Sequence, residues 1–201
     1  MIRLDRDGGL WTVTLDRPDK ANALTPAMLR ELADIAEGAG AARALILTGT
    51  GKVFSAGADL DAAKAGLAVS PDWERLSGAI ARLPGLTIAA LNGTLAGGAT
   101  GMALACDIRI AVPGTKFFYP VMKLGYLPQP SDPARLAALI GPARARMILM
   151  AGQKIDADTA LSWGLIDRIV ADDLLAAARD LAADTLAAPE HIARGIKDMC
   201  R

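Results

Sequence analysis

The sequence predicts an α/β fold that finishes in helices, on three observations. Short apolar runs with strand character recur as far as Val112, capped amphipathic helices separate them, and from Asp132 onward the periodicity is helical. Leu10 to Leu15 (LWTVTL) alternates and predicts a strand. Thr25-Pro26 supplies an N-cap and a first-turn proline for a helix carrying Met28, Leu32, Ile35 and Ala36 on one face. Ala44 to Leu47 (ALIL) is apolar throughout, as a strand covered on both faces should be, and a Gly-Thr-Gly turn ends it. Ser70-Pro71 opens a second helix, with Trp73, Leu76, Ile80 and Leu83 at helical spacing, and Pro84-Gly85 stops it. Leu86 to Leu91 (LTIAAL) and Ile108 to Val112 (IRIAV) predict two more strands. Gly141-Pro142 opens a further helix, Asp156 caps another that ends at Gly164, and Ile166 to Val170 suits a short strand. Two alanine-rich helices, over about 172 to 186 and 189 to 200, complete the chain.

Composition narrows the function. The 201 residues are 52% hydrophobic and 22% charged, enough to bury a full core, and 22 Lys+Arg balance 22 Asp+Glu. No net field draws nucleic acid or an anionic membrane, so neither is an expected partner. MIRLDRDGGLW lacks the apolar stretch of a signal peptide and no run reaches membrane-spanning length, which points to the cytoplasm. Cys106 and Cys200, widely spaced, are expected to be free thiols. No His or Cys pair has metal-ligand spacing, so no metal is expected, and His191 suits a surface role on the last helix. GTGKV at 49 to 53 is not a phosphate loop, because Ile46 stands where its first glycine belongs and Val53 follows the lysine. Neither glycine cluster completes a dinucleotide fingerprint.

What remains is LAGGATGMALACD, residues 95 to 107, where Gly97, Gly98, Ala99, Thr100 and Gly101 carry almost no side chain. Placed where a strand turns into a helix, such a run exposes N–H groups without intrahelical partners and lets a ligand oxygen reach the backbone. Tight strand–helix packing would use the same residues. FSAGADL, Phe54 to Leu60, is a second small-residue loop, and two such loops can aim two N–H groups at one oxygen.

GKVFSAGADL, ALNGTLAGGATGMALACDIRIA, FFYPVMKLGYLP and AGQKIDADTALSWGLIDRIV, in that order, resemble the enoyl-CoA hydratase/isomerase (crotonase) family from about Leu10 to the end. The resemblance implies a spiral of ββα turns, with a core over 1–130 and a helical region over 131–201 that closes the pocket and joins subunits into a trimer or a pair of trimers. It implies an acyl-CoA thioester as ligand, with coenzyme A part of the substrate and no separate cofactor. Carried onto this chain, the backbone N–H groups of Ala58 and Gly98 form the oxyanion hole that receives the thioester oxygen as an enolate develops. Ala56, Asp59 and Leu60 would line the substrate, and Lys20 and Ala21, in RPDKANAL, would lie near its nucleotide end; a solvated Lys20 is an equal alternative.

The chain departs from the family where the hydratases keep two glutamates. Gly101 and Val121 stand at those positions, and Gln129 stands where some members have an aspartate. General acid–base work needs a titratable group within hydrogen-bond reach. The nearby candidates are Asp132 and Tyr126, then Tyr119 and Lys123. Against them stand a capping role for Asp132 or Ser131 and ordinary packing for Tyr126. The carboxyl end is short by family standards. The leading expectation is a lyase or isomerase using enolate chemistry without the glutamate pair. The alternatives are a non-catalytic acyl-CoA-binding or assembly paralogue, and weak hydration through a displaced acid. The apolar stripe Leu174, Leu175, Ala178, Leu181 and Leu186 is expected near subunit contacts.

Overall fold

The computed structural model describes residues 1–200, and its backbone is a spiral in which each turn gives one strand to each of two sheets. An antiparallel hairpin of β1 (Ile2–Asp7) and β2 (Leu10–Leu15) opens the chain and α1 (Pro26–Gly38) follows. The first turn contributes β3 (Ala44–Gly49), β4 (Val53–Ser55), α2 (Leu60–Lys64) and α3 (Asp72–Arg82), and the second β5 (Leu86–Leu91), β6 (Thr94–Ala96) and α4 (Thr100–Leu104). The third has β7 (Ile108–Ala111), β8 (Lys116–Phe118), the short α5 (Val121–Leu124) and the pair α6 (Asp132–Ile140) and α7 (Pro142–Leu149). The chain closes with β9 (Ile155–Asp156), α8 (Ala157–Trp163), β10 (Arg168–Ile169), α9 (Leu174–Ala187) and α10 (Glu190–Met199). One sheet runs β1-β2-β3-β5-β7-β10, parallel except at β1; the other runs β4-β6-β8-β9, parallel except at β9.

The expected strands and helices are present, and the caps behave as their chemistry dictates. Thr25 Oγ1 accepts from the Met28 N–H at 3.3 Å, and the Asp156 carboxylate accepts from that of Thr159 at 3.0 Å. Leu29, Leu32 and Ala36 on α1 and Trp73, Leu76 and Ile80 on α3 are buried, and the two helices pack against each other. Five strands escape the sequence reading: β1, β4, β6, β8 and β9. β1 carries four charged residues out of six and sits at a sheet edge, so charge masks its alternation. Its Gly8-Gly9 loop, with Gly8 at φ +55°, is nevertheless a hairpin signal. β4, β6 and β8 are three residues each and β9 is two, too short for a period to register. The two small-residue loops therefore follow β4 and β6 of the second sheet, not ALIL and LTIAAL directly.

The expectation for the α9 stripe needs correction. Leu174, Ala178 and Ala182 are buried against Ala44, Ile46, Ile88 and Ile110 of the same chain, with Leu175, Leu181 and Leu186 packed beside them. The outer face of a parallel sheet requires a cover, and α9 supplies it. Arg43 ties this helix down by donating to the carbonyls of Thr185 and Ala188. Cys106 is buried and Cys200 exposed, and both are free. Among the described residues, no helix is long and apolar enough to cross a membrane.

Candidate functional site

The first small-residue loop is held from below by Asn22, fully buried at φ +52°. Its side chain accepts from the Arg17 N–H at 2.8 Å and donates to the carbonyls of Thr50 and Val53 at 2.9 and 2.7 Å. The Ser55 hydroxyl, 2.8 Å from the Asn22 carbonyl it donates to, accepts from the Gly57 N–H. Leu24 then clasps the loop by donating to the Gly57 carbonyl and accepting from the Asp59 N–H, at 2.8 and 2.9 Å. In this parallel bridge both bonds belong to Leu24, so the Ala58 N–H is turned away from it.

The second loop meets the first backbone to backbone. After β6 the chain reverses at Gly97, φ +58°, and passes through a 3₁₀ turn into α4. Gly57 lies at φ +90°, and a Cβ there would stand 2.9 Å from the Ala96 carbonyl oxygen and 3.4 Å from the Gly98 nitrogen. No side chain fits between the loops, which is why both are made of glycine and alanine. Ala58 and Gly98 consequently line one cavity of about 340 Å³, shared with Ala56, Leu60, Lys64, Trp73, Tyr119, Val121, Tyr126 and Gln129. Packing and access coexist here. The indole of Trp73, whose Nε1–H donates to the Leu67 carbonyl at 2.7 Å, lies 3.2 Å from where a Gly98 Cβ would be. α4 has only five residues, so individual N–H groups, more than a helix dipole, are what this turn offers.

The substrate-lining candidates divide. Ala56 and Leu60 reach the cavity wall. Asp59 is already engaged: it accepts from Arg17 Nη1 at 2.8 Å and caps α2 through the Asp61 and Ala62 N–H groups. The Arg17 hydrogen bond, chiefly, holds its carboxyl below the usual range. Ala21, at φ +50°, accepts from the Ala56 N–H at 3.0 Å and so braces the loop, while Lys20 is exposed in the neighbouring 3₁₀ turn. Lys64 and Trp73 also line the cavity, but a lysine on a short helix and an aromatic on a core stripe carry no distinctive local signal in the sequence.

The acid–base candidates divide as well. Tyr126 is an exposed cavity residue, and Lys123 is exposed on α5 without lining the cavity. Asp132 has no exposed surface, and neither it nor Ser131 caps α6, contrary to expectation. Ser131 is itself in helical conformation, φ −80° and ψ −20°, and its N–H and hydroxyl both donate to the Glu74 carboxylate. The Asp132 carboxyl faces inward. Oδ2 accepts from the Tyr119 hydroxyl at 3.0 Å, and Oδ1 lies 2.6 Å from where a Cβ of Gly101 would be. Burial, with a smaller push from Glu74, overrides the Tyr119 hydrogen bond and Arg135 and raises the Asp132 carboxyl to about 7. Burial and the charge of Asp132 likewise raise the Tyr119 phenol above its usual range. Gln129 donates its backbone N–H to the Tyr119 oxygen at 3.4 Å and its Nε2–H to the Ala68 carbonyl at 3.1 Å. Tyr119 thus joins the cavity to a sealed carboxyl behind it. Among the described residues no group of three or more His, Cys, Asp or Glu could hold a metal ion.

Comparison with known proteins shows the family and the fold. The sequence profile described as enoyl-CoA hydratase/isomerase matches residues 5–201. The chain is 39% identical to a protein named probable enoyl-CoA hydratase EchA14 from Mycobacterium tuberculosis, over 100% of this chain and 81% of that one. Among solved structures it resembles Pseudomonas aeruginosa DspI, with a TM-score of 0.90 and 31% identity over 99% of this chain and 85% of that one. It also resembles an enoyl-CoA hydratase from Bacillus anthracis, with a TM-score of 0.90 and 32% identity over 98% of this chain and 81% of that one.

Proposed function

Because this chain belongs to the enoyl-CoA hydratase/isomerase family, we propose that its cavity binds an acyl-CoA thioester with the carbonyl oxygen between the N–H groups of Ala58 and Gly98. The observation that carries the proposal is the close approach of Gly57 to Ala96 and Gly98, which leaves two backbone-walled loops on one cavity. Two N–H donors on a thioester oxygen stabilise the negative charge that develops when a proton leaves the neighbouring carbon, so the site favours an enolate. Coenzyme A enters as part of the substrate. The activity is that of a lyase or isomerase acting through the enolate.

Direct hydration is the reaction this site serves least. It needs a water held and deprotonated beside the double bond, and Gly101 and Val121 offer no group for that. A panel of acyl-CoA thioesters, followed by calorimetry for binding and by the loss of enoyl absorbance for hydration, tests both parts. Binding is expected, with crotonyl-CoA hydrated about 10²–10⁴-fold more slowly for each missing acid–base group than by a relative that has both glutamates. Robust hydration would overturn the reading. A binding protein without turnover is the second reading, favoured by the sealed position of Asp132.

We also infer a homotrimer or a pair of trimers. Its support is no longer α9 but the exposed Met122, Leu127 and Met150 around α5 and α7, where apolar side chains edge a groove of about 360 Å³. Light scattering at micromolar concentration is expected to give a multiple of three subunits; a monomer would defeat the inference.

A further inference from the structure

We propose that Tyr119 carries protons between the acyl-CoA cavity and Asp132, whose carboxyl on α6 fills the space a side chain at position 101 of α4 would take. The inference rests on the acyl-CoA reading above and deepens it. Three observations support it. Tyr119 is the shared residue: it lines the cavity, and its hydroxyl donates to Asp132 Oδ2 at 3.0 Å. Asp132 Oδ1 is buried and has no hydrogen-bond partner among the described residues, a costly arrangement that packing alone does not call for. The 2.6 Å between Oδ1 and a Cβ of Gly101 makes glycine at 101 a condition for a carboxyl at 132. A carboxyl missing from one helix is thus supplied, one layer back, by another.

The direction of the Tyr119 O–H depends on the charge of Asp132. An ionised carboxylate accepts a hydrogen bond from the phenol O–H, whereas a neutral one donates to the phenol oxygen and frees the hydroxyl to point at the cavity. Protonation of an enolate then runs in one pass. The phenol O–H breaks as its proton joins the enolate carbon, and the phenol oxygen takes the carboxyl proton of Asp132. The carboxylate keeps that electron pair, the phenol is unchanged, and solvent later returns the proton. The reverse pass removes a proton from the carbon beside the thioester. Charged and titratable neighbours of the carboxyl are Tyr119, Arg135 on α6 and Glu74 on α3. With the carboxyl at about 7, both charge states are populated near neutrality. Asp132 acts here through Tyr119 and is the positioning residue of the pair.

Octanoyl-CoA in deuterium oxide provides the test, with deuterium entry at the carbon beside the carbonyl followed by mass spectrometry and binding by calorimetry. The parent protein is expected to exchange this position at a rate that rises with pH through the Asp132 titration. Tyr119→Phe should lower exchange by about 10²–10⁴-fold, a far larger loss than any change in binding. Asp132→Asn, which preserves shape, should slow exchange and erase its pH step. Unaltered exchange in Tyr119→Phe, or a surviving pH step in Asp132→Asn, would overturn the relay. Binding without exchange in the parent would overturn the relay alone, whereas absence of binding would overturn the acyl-CoA reading together with it.

Discussion

Asp132→Asn is expected to stabilise the protein at pH 8 by about 2–4 kcal/mol, at about 1.4 kcal/mol for each pKa unit between the free and the buried carboxyl. The folded state holds this carboxyl near 7, against a usual value of 3.8. Between those values the folded chain binds more protons than the unfolded one, so stability is fullest below pH 4 and declines as pH rises to about 7. Above that it stays flat at the lower level. Asparagine removes the slope, because it has no charge to bury. One of its amide hydrogens would face the partnerless Oδ1 position, which keeps the gain at or below the upper figure. Urea unfolding at pH 4 and pH 8 checks this: the variant and the parent should differ little at pH 4 and widely at pH 8. A variant no more stable than the parent at pH 8 would mean the carboxylate is satisfied in the fold. A side chain that weakens the protein at neutral pH and sits behind a ligand cavity fits a proton-handling role better than a structural one.

Gly57→Ala is expected to slow enolate chemistry by about 10²–10³-fold, the range seen when one oxyanion donor is lost. A methyl at φ +90° is strained, and it would lie 2.9 Å from the Ala96 carbonyl, which is backbone and can yield only by parting the loops. Parting them moves the Ala58 N–H away from that of Gly98. Deuterium exchange into octanoyl-CoA reports the loss, and circular dichroism separates it from unfolding. Exchange at the parent rate in a folded Gly57→Ala would show that the spacing of the two loops is irrelevant to the chemistry. Gly98 is the less clean position, because a side chain there also presses on the Trp73 indole at 3.2 Å.

Much of the architecture was legible along the chain. ALIL and LTIAAL declare strands covered on both faces, Thr25 and Asp156 declare helix starts, and two glycine-alanine loops declare places where a backbone must be approached closely. Each of these signals is local: a period, a cap or a missing Cβ acts within a few residues of itself. Gly101, Val121 and Gln129 likewise show by identity alone that these positions carry no acid.

Other properties of the site belong to residues far apart in the chain and appear once it is folded. Asp59, which looks available, is committed to Arg17 across 42 residues. Asp132, which looks like a cap, is turned inward onto the Tyr119 hydroxyl, while Glu74 takes the N–H and hydroxyl of Ser131. The apolar stripe of α9, which looks like a subunit contact, is spent on the outer face of its own sheet. The pairing of Asp132 with Tyr119 and with the space beside Gly101 follows from α4, α6 and the end of β8 converging, and no short window of sequence encodes that convergence. Periodicity states that a residue is to be buried; which neighbour buries it, and therefore its charge state and its chemistry, is set by packing between distant segments.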